Sequence, residues 1–175
     1  MTVSLPDLAV EDVSAKTFKS ALRHLSGGVA VIATGSGADR GGLTATSASA
    51  LSAEPPTVVV CVNKTASALP TLLRERSFSI NILSGDQQVI AERFSGKDGI
   101  KGAQRFEGSD WAPLATGAPV LVGALAALDC ELEEVIERHS HAILIGRVKA
   151  TTVGDQEEAL LYWRGDYRHL SSVSV

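Results

Sequence analysis

The chain has 175 residues and a mass of 18.3 kDa, with 45% hydrophobic and 21% charged residues, the size and composition of one domain that builds its own core. Sixteen Lys and Arg against twenty Asp and Glu give a formal charge of −4, which argues against a main role on a phosphate backbone. No apolar run approaches the ~18 residues of a membrane helix. The opening MTVSLPDLAVEDVS has neither the positive charge nor the apolar stretch of a signal peptide. Cys61 and Cys130 lie far apart without a CxxC pair, so they read as two reduced core thiols of a cytoplasmic protein.

Residues 1–13 read as a flexible leader and 14–175 as a single domain. Phe18, Ala21, Leu22 and Leu25 fall at helical spacing, with Ser14 as N-cap and Gly27 and Gly28 as the stop. Residues 29–34 are a β-branched run, expected as a buried strand, and 35–42, GSGADRGG, form a turn. Residues 43–50, LTATSASA, are small and hydroxylated, and Pro55 and Pro56 end the loop that follows. TVVVCV at 57–62 is the strongest strand signal. Residues 67–76 read as a short helix with Ser67 as cap and Pro70 in its first turn.

SFSINIL at 77–83 alternates as a strand does. Ser84 and Gln87 have capping-box spacing ahead of a helical face of Val89, Ile90 and Phe94. Residues 95–119 are a Gly-rich excursion long enough to be suspected of function. Residues 120–138 stay open: Leu121, Leu125, Leu128, Leu132 and Ile136 fit a helix, while Leu128, Cys130 and Leu132 alternate as a strand. Residues 142–150 and 159–163 are strands about a polar turn. Closely spaced strands with few long helices point to a β-barrel with attached helices.

Motifs narrow the chemistry. GSGADR begins like a dinucleotide fingerprint, but Arg40 takes the place of its last glycine, and no P-loop or nucleophile elbow is present. His139 and His141 would share a strand face, yet no third ligand is spaced with them, so no metal site is expected. The segment 42–56, GLTATSASALSAEPP, lets a flat ligand approach the backbone, and a solvent-facing edge strand accounts for it equally well. Asn63, Lys64, Thr65 and Ser67 gather at a helix start, where an anion is favoured, although an ordinary cap explains them too.

Four blocks in order carry a resemblance over roughly residues 16–170: GLTATSASALSAEPPTVVVCVNKTAS, FSINIL, LAALDCELEEVIERHSHAILIGRV and LLYWRGDYRHL. The chain resembles the short-chain flavin reductases, the NAD(P)H:flavin oxidoreductases of two-component monooxygenases. The resemblance implies a mainly β fold, a Greek-key split barrel with short peripheral helices, working as a homodimer with flavin near the subunit interface. It also implies that the open segment at 120–138 is a strand, with Leu128, Cys130 and Leu132 facing the core.

Matched residue by residue, Thr44, Ala45, Thr46 and Ser47 line the isoalloxazine ring. Ser49, Ala50, Leu51 and Ser52, with Asn63, Lys64 and Ser67, hold the ribityl chain and phosphate. Asn81 lies beside the ring or serves as a satisfied barrel residue. His141 approaches the nicotinamide, with Phe94, Tyr167 and Arg168 on the dinucleotide side. FAD is the flavin implied first and FMN second, with NADH or NADPH as donor and a flavin-dependent monooxygenase as recipient. The chain departs from the family at Ser26–Gly28 and at Thr46, where some relatives carry Asn. Arg93, Lys97, Lys101 and Arg105 offer one basic face for a 2′-phosphate, or simply a solvated surface. Two other readings remain: a flavin- or haem-binding module without turnover, and a split-barrel oxidase or reductase that keeps FMN and acts on another substrate.

Overall fold

The computed structural model describes residues 13–97 and 99–171, so all of the leader read at 1–13 except the exposed Val13 lies outside the described residues. In chain order the elements are α1 (Ala15–Leu22), β1 (Gly27–Gly28), β2 (Ala30–Thr34), β3 (Gly41–Ala45), β4 (Ser49–Ala53), β5 (Pro56–Asn63), α2 (Leu69–Glu75), β6 (Ser77–Ile82), α3 (Gln88–Ser95), β7 (Trp111–Pro113), β8 (Pro119–Leu121), β9 (Ala126–Arg138), β10 (His141–Val153), β11 (Glu158–Trp163) and β12 (Asp166–Ser171). Seven strands form one antiparallel sheet in the order β3-β2-β6-β9-β10-β5-β4. β1, β11 and β12 form a second sheet, and β7 pairs with β8.

One apolar cluster takes side chains from β2, β3, β5, β6, β9 and β10, including Ile32, Ala45, Val60, Phe78, Leu132 and Leu144. β3 at one end of the sheet and β5 next to the other end both reach this interior, so the sheet wraps around it, and α2 adds Leu69 and Leu72. This is the mainly β, barrel-like architecture expected from the sequence. β2 is buried along its whole length, because Val31 and Ala33 point away from that interior into a second cluster with Leu83, Phe94, Phe106 and Leu160. That double burial explains why the run has no polar alternation.

The open segment at 120–138 resolves as a strand from Ala126 on, its first two residues ending β8 and the turn at Gly123 separating the two strands. Cys130 and Leu132 lie in the core, and burial pushes the Cys130 thiol up to about 12, so it is a neutral packing group. Cys61 is instead exposed on the outer side of β5, not in the core. Asp129, on the opposite face of β9 from Cys130, is also fully buried, because residues 116–121 cover it. It accepts hydrogen bonds from the Thr116 N–H (2.7 Å) and hydroxyl. Beside it Ser79 donates to the Pro119 carbonyl. Asn81 accepts from the Leu121 N–H (2.8 Å) and donates to the Val31 carbonyl (3.0 Å).

Several local expectations shift. Ser14 caps α1 as read, accepting from the Thr17 N–H at 3.2 Å, but Phe18 and Leu22 face outward and no α1 residue is buried. Gly27 and Gly28 pair with β11 instead of only ending the helix. The small-residue stretch is two strands joined at 46–48, not one segment. α2 starts after Ala68 without a side-chain cap, because the turn ahead of it is closed by Asn63 Oδ1, which accepts from the Thr65 N–H at 2.9 Å. The capping box at Ser84 and Gln87 forms, with α3 following.

Asn81→Ala leaves the buried Leu121 N–H without its partner and takes the side-chain donor from the Val31 carbonyl. The expected cost is about 2–4 kcal/mol in urea unfolding, with an unchanged m-value.

Candidate functional site

A cleft of about 450 Å³ opens between the end of β3, α3 and the β11–β12 hairpin. Its volume suits a small-molecule site. Thr44, Ala45 and Thr46 form one part of the lining, Glu92 and Lys97 another, and Tyr162, Asp166 and Tyr167 a third.

The path of β3 depends on Gly42. A β-carbon there would lie 2.7 Å from both the Ile32 carbonyl oxygen and the Phe94 ring, so only glycine lets the strand pass so close to α3. Phe94 is itself buried in an aromatic cluster, 4.9 Å from Phe106 and 5.5 Å from Trp111 between ring centroids. The Thr44 hydroxyl donates to the Ala91 carbonyl at 2.6 Å and ties β3 to α3. That hydroxyl is thus spent on the scaffold, while Thr46 is exposed at the cleft.

Glu92 accepts from the Gln88 amide at 3.1 Å and pairs with Lys97 at 3.3 Å, and together these hold its carboxyl below the usual range. Across the cleft, Arg168 holds the Asp166 carboxyl low. Desolvation raises the Tyr167 phenol above its ordinary value, with smaller contributions from Glu92 and Tyr162. Its ring meets Tyr162 edge-on at 5.3 Å.

The structure divides the residues expected at the site. Thr44, Ala45, Thr46 and Tyr167 line the cleft together. Ser47 donates to the Cys61 carbonyl at 2.8 Å, which leads along β5 to Asn63 and, paired with it, His141 on β10. Lys64 lies beside them, its N–H donating to the Ser140 carbonyl and its ammonium 2.6 Å from Glu137. His141 is exposed, with Nδ1 2.9 Å from the Ser140 hydroxyl. Ser49, Ala50 and Leu51 are exposed on the edge strand β4, and Ser52 accepts from the Glu54 N–H. Ser67 is exposed before α2.

Asn81 and Phe94 are buried, the first fully hydrogen-bonded and the second in the aromatic cluster. Arg168 is exposed and pairs with Asp166. The basic face does not assemble: Arg105 is drawn inward onto the Gly42 carbonyl, and Lys97 is paired. Sequence reading missed Glu92, Tyr162 and Asp166. Glu92 carried a usable signal, since it falls on the same helical turn as Phe94; the other two needed the hairpin's pairing. Among the described residues no cluster of His, Cys, Asp or Glu is arranged for a metal, and no helix is long and apolar enough to cross a membrane.

Residues 22–171 match the flavin reductase like domain. A protein named FMN reductase (NADH) RutF 2, from Methylorubrum extorquens, is 41% identical over 160 residues, spanning 91% of this chain and 92% of that protein. The reductase subunit HsaB of a flavin-dependent monooxygenase from Rhodococcus jostii is 34% identical, across 91% of this chain and 80% of its own length. Among solved structures, the NADH:FAD oxidoreductase SgcE6 of Streptomyces globisporus superposes with a TM-score of 0.83 at 28% identity, covering 98% of this chain and all of that one. BorF, the flavin reductase component of a bacterial two-component tryptophan halogenase, gives 0.83 at 30% identity over 91% of this chain and all of its own.

Ultraviolet titration should show the Tyr167 phenol, identified by its loss in Tyr167→Phe, ionising above the ordinary value of about 10. Glu92→Gln removes a neighbouring negative charge and should bring that titration part of the way back down.

Proposed function

We propose that this chain, which belongs to the flavin reductase like domain family, is an NADH-dependent flavin reductase whose reduced product leaves for a partner monooxygenase. The observation that carries the reading is the cleft in which the small-residue end of β3 meets the Tyr162–Tyr167 pair. Slim residues on one part of the lining and aromatic rings on another fit a flat heteroaromatic ring. Bound flavin supplies the hydride acceptor for the reduced nicotinamide, a reaction whose chemistry resides in the two cofactors.

The chain's own residues bind and orient. The Thr44 bond to Ala91 fixes the β3 end against α3, so the backbone at 44–46 meets the ring in one preset position. The Glu92–Lys97 pair keeps the α3 side of the cleft close to neutral. The raised Tyr167 phenol stays protonated at neutral pH and offers a donor as well as an apolar face. No general base is required of the protein.

His141 is assigned to the nicotinamide side, and its link to the cleft through Asn63, Cys61 and Ser47 supports this. Asn63 and Lys64 on the same strip are assigned to the flavin phosphate. The names of the RutF relatives favour FMN and NADH, and that of SgcE6 favours FAD. A homodimer fits the family, and the outward Phe18 and Leu22 of α1 are apolar groups that a second copy would cover.

NADH consumption should be fast with added FMN or FAD and negligible with no added flavin. A protein that retains its colour and oxidises no NADH or NADPH would replace this reading with a binding module. His141→Ala should slow flavin reduction by about tenfold or more while leaving flavin affinity, read by fluorescence quenching, nearly intact. Equal loss of both would remove His141 from the nicotinamide side.

A further inference from the structure

The cleft described above is lined by two carboxylates, Glu92 and Asp166, and by one cation, Lys97. Each carboxylate has a cationic partner, Lys97 at 3.3 Å from Glu92 and Arg168 beside Asp166. The partners do not cancel them evenly. The Glu92 side chain is 28% exposed and that of Lys97 is 63% exposed, so water screens the ammonium more than the carboxylate. Arg168 pairs with Asp166 from outside the lining. The cations Lys19, Arg23 and Arg164 line an adjoining cleft and not this one.

Glu92 is held as an anion. It accepts from the Gln88 amide as well as from Lys97, and both keep its carboxyl below the usual range. The cleft also contains a group that senses the resulting field. Tyr167 belongs to the same lining, and ionising its phenol would put a negative charge there. That ionisation is opposed, first by desolvation and next by Glu92.

A flat ring that gains a hydride meets the same opposition. A hydride carries one proton and two electrons, so a neutral oxidised flavin becomes an anion and the nicotinamide that gave the hydride becomes a cation. Substrate flavin and product flavin therefore have nearly the same outline and differ by one negative charge.

We propose that Glu92 and, across the cleft, Asp166 set the order of affinities at this site, so that the anionic reduced flavin binds more weakly than the neutral oxidised flavin and is driven out. The inference rests on the flavin reductase reading and deepens it, by naming the groups that make the product leave. Lys97 opposes Glu92 in this role and limits the effect. Each tenfold weakening of the reduced form lowers the two-electron potential of the bound flavin by about 30 mV.

The test measures two dissociation constants for FMN on the intact chain. Oxidised FMN is read by fluorescence quenching, and dithionite-reduced FMN by anaerobic equilibrium dialysis. The FMN phosphate is common to both and cancels in the ratio of reduced to oxidised Kd. The wild-type ratio should be about tenfold or more. Glu92→Gln should lower it about fivefold, and Glu92→Asp should keep most of it. Asp166→Asn should lower it by a smaller factor, because that side chain is 63% exposed. Lys97→Gln breaks the same ion pair as Glu92→Gln but should raise the ratio. Opposite signs separate charge from structure, since loss of the pair alone would move both variants the same way.

A wild-type ratio of one or below would overturn the proposal. So would a ratio that Glu92→Gln and Lys97→Gln shift in the same direction, or leave unchanged at unchanged Tm. Dithionite supplies the electrons, so none of these measurements needs NADH turnover. A chain that shows the ratio and its opposite shifts yet oxidises no NADH or NADPH would refute the enzymatic reading and leave the charge discrimination standing. A chain that turns over NADH with a ratio of one would do the reverse.

Discussion

The architecture depends on a short ladder of buried polar groups across the outer face of β6 and β9. Asn81, Ser79 and Asp129 are each fully buried, and each makes at least one hydrogen bond to the segment at 116–121. That segment pairs as a strand only with β7, so over the large sheet it must satisfy its backbone in some other way. These three side chains do so and fix the excursion in place. Once fixed, the excursion brings Phe106 and Trp111 against Phe94. Phe94 then seats α3, and α3 sets how closely β3 can approach. The cleft therefore lies several contacts away from the polar ladder that positions it.

The chemistry asks little of the protein beyond placement. A hydride moves between two cofactors, so the chain needs a slot of the right width, a way to hold two ligands together and a balance of charge. Gly42 and the small residues at 44–46 set the width. The hairpin of β11 and β12 supplies the aromatic pair and, at its turn, the exposed cation Arg164. Hydroxyls that look available for a ligand in the sequence are partly committed to the scaffold: Thr44 binds the Ala91 carbonyl and Ser47 the Cys61 carbonyl.

β-Branched runs, alternation and capping chemistry made most elements legible beforehand: the strands at 29–34, 57–62 and 77–83, the capping box at Ser84, and the helix that follows it. Misreadings fell where a residue's partner is distant in sequence. Gly27 and Gly28 read as a helix stop because their strand partners, Leu161 and Tyr162, lie far along the chain. Ser67 read as a cap because nothing local reveals that Asn63 closes the turn first. From sequence Asn81 fits ring contact and scaffold equally, because its hydrogen bonds to Val31 and Leu121 are long-range by nature.

By itself the sequence determined a mainly β fold, the order of most of its elements and the small-residue strand that lines the cleft, because these follow from local periodicity, turn chemistry and side-chain size. Periodicity left β9 open between helix and strand, and the tertiary structure decided that it is buried on both faces over part of its length. It also decided that the basic residues near 93–105 do not form one patch, while Lys19, Arg23 and Arg164 do. Periodicity records which way a side chain points along one element. Which element it then meets depends on sheet order and on the path of the loops, and β11 meets α1 only when the chain has folded.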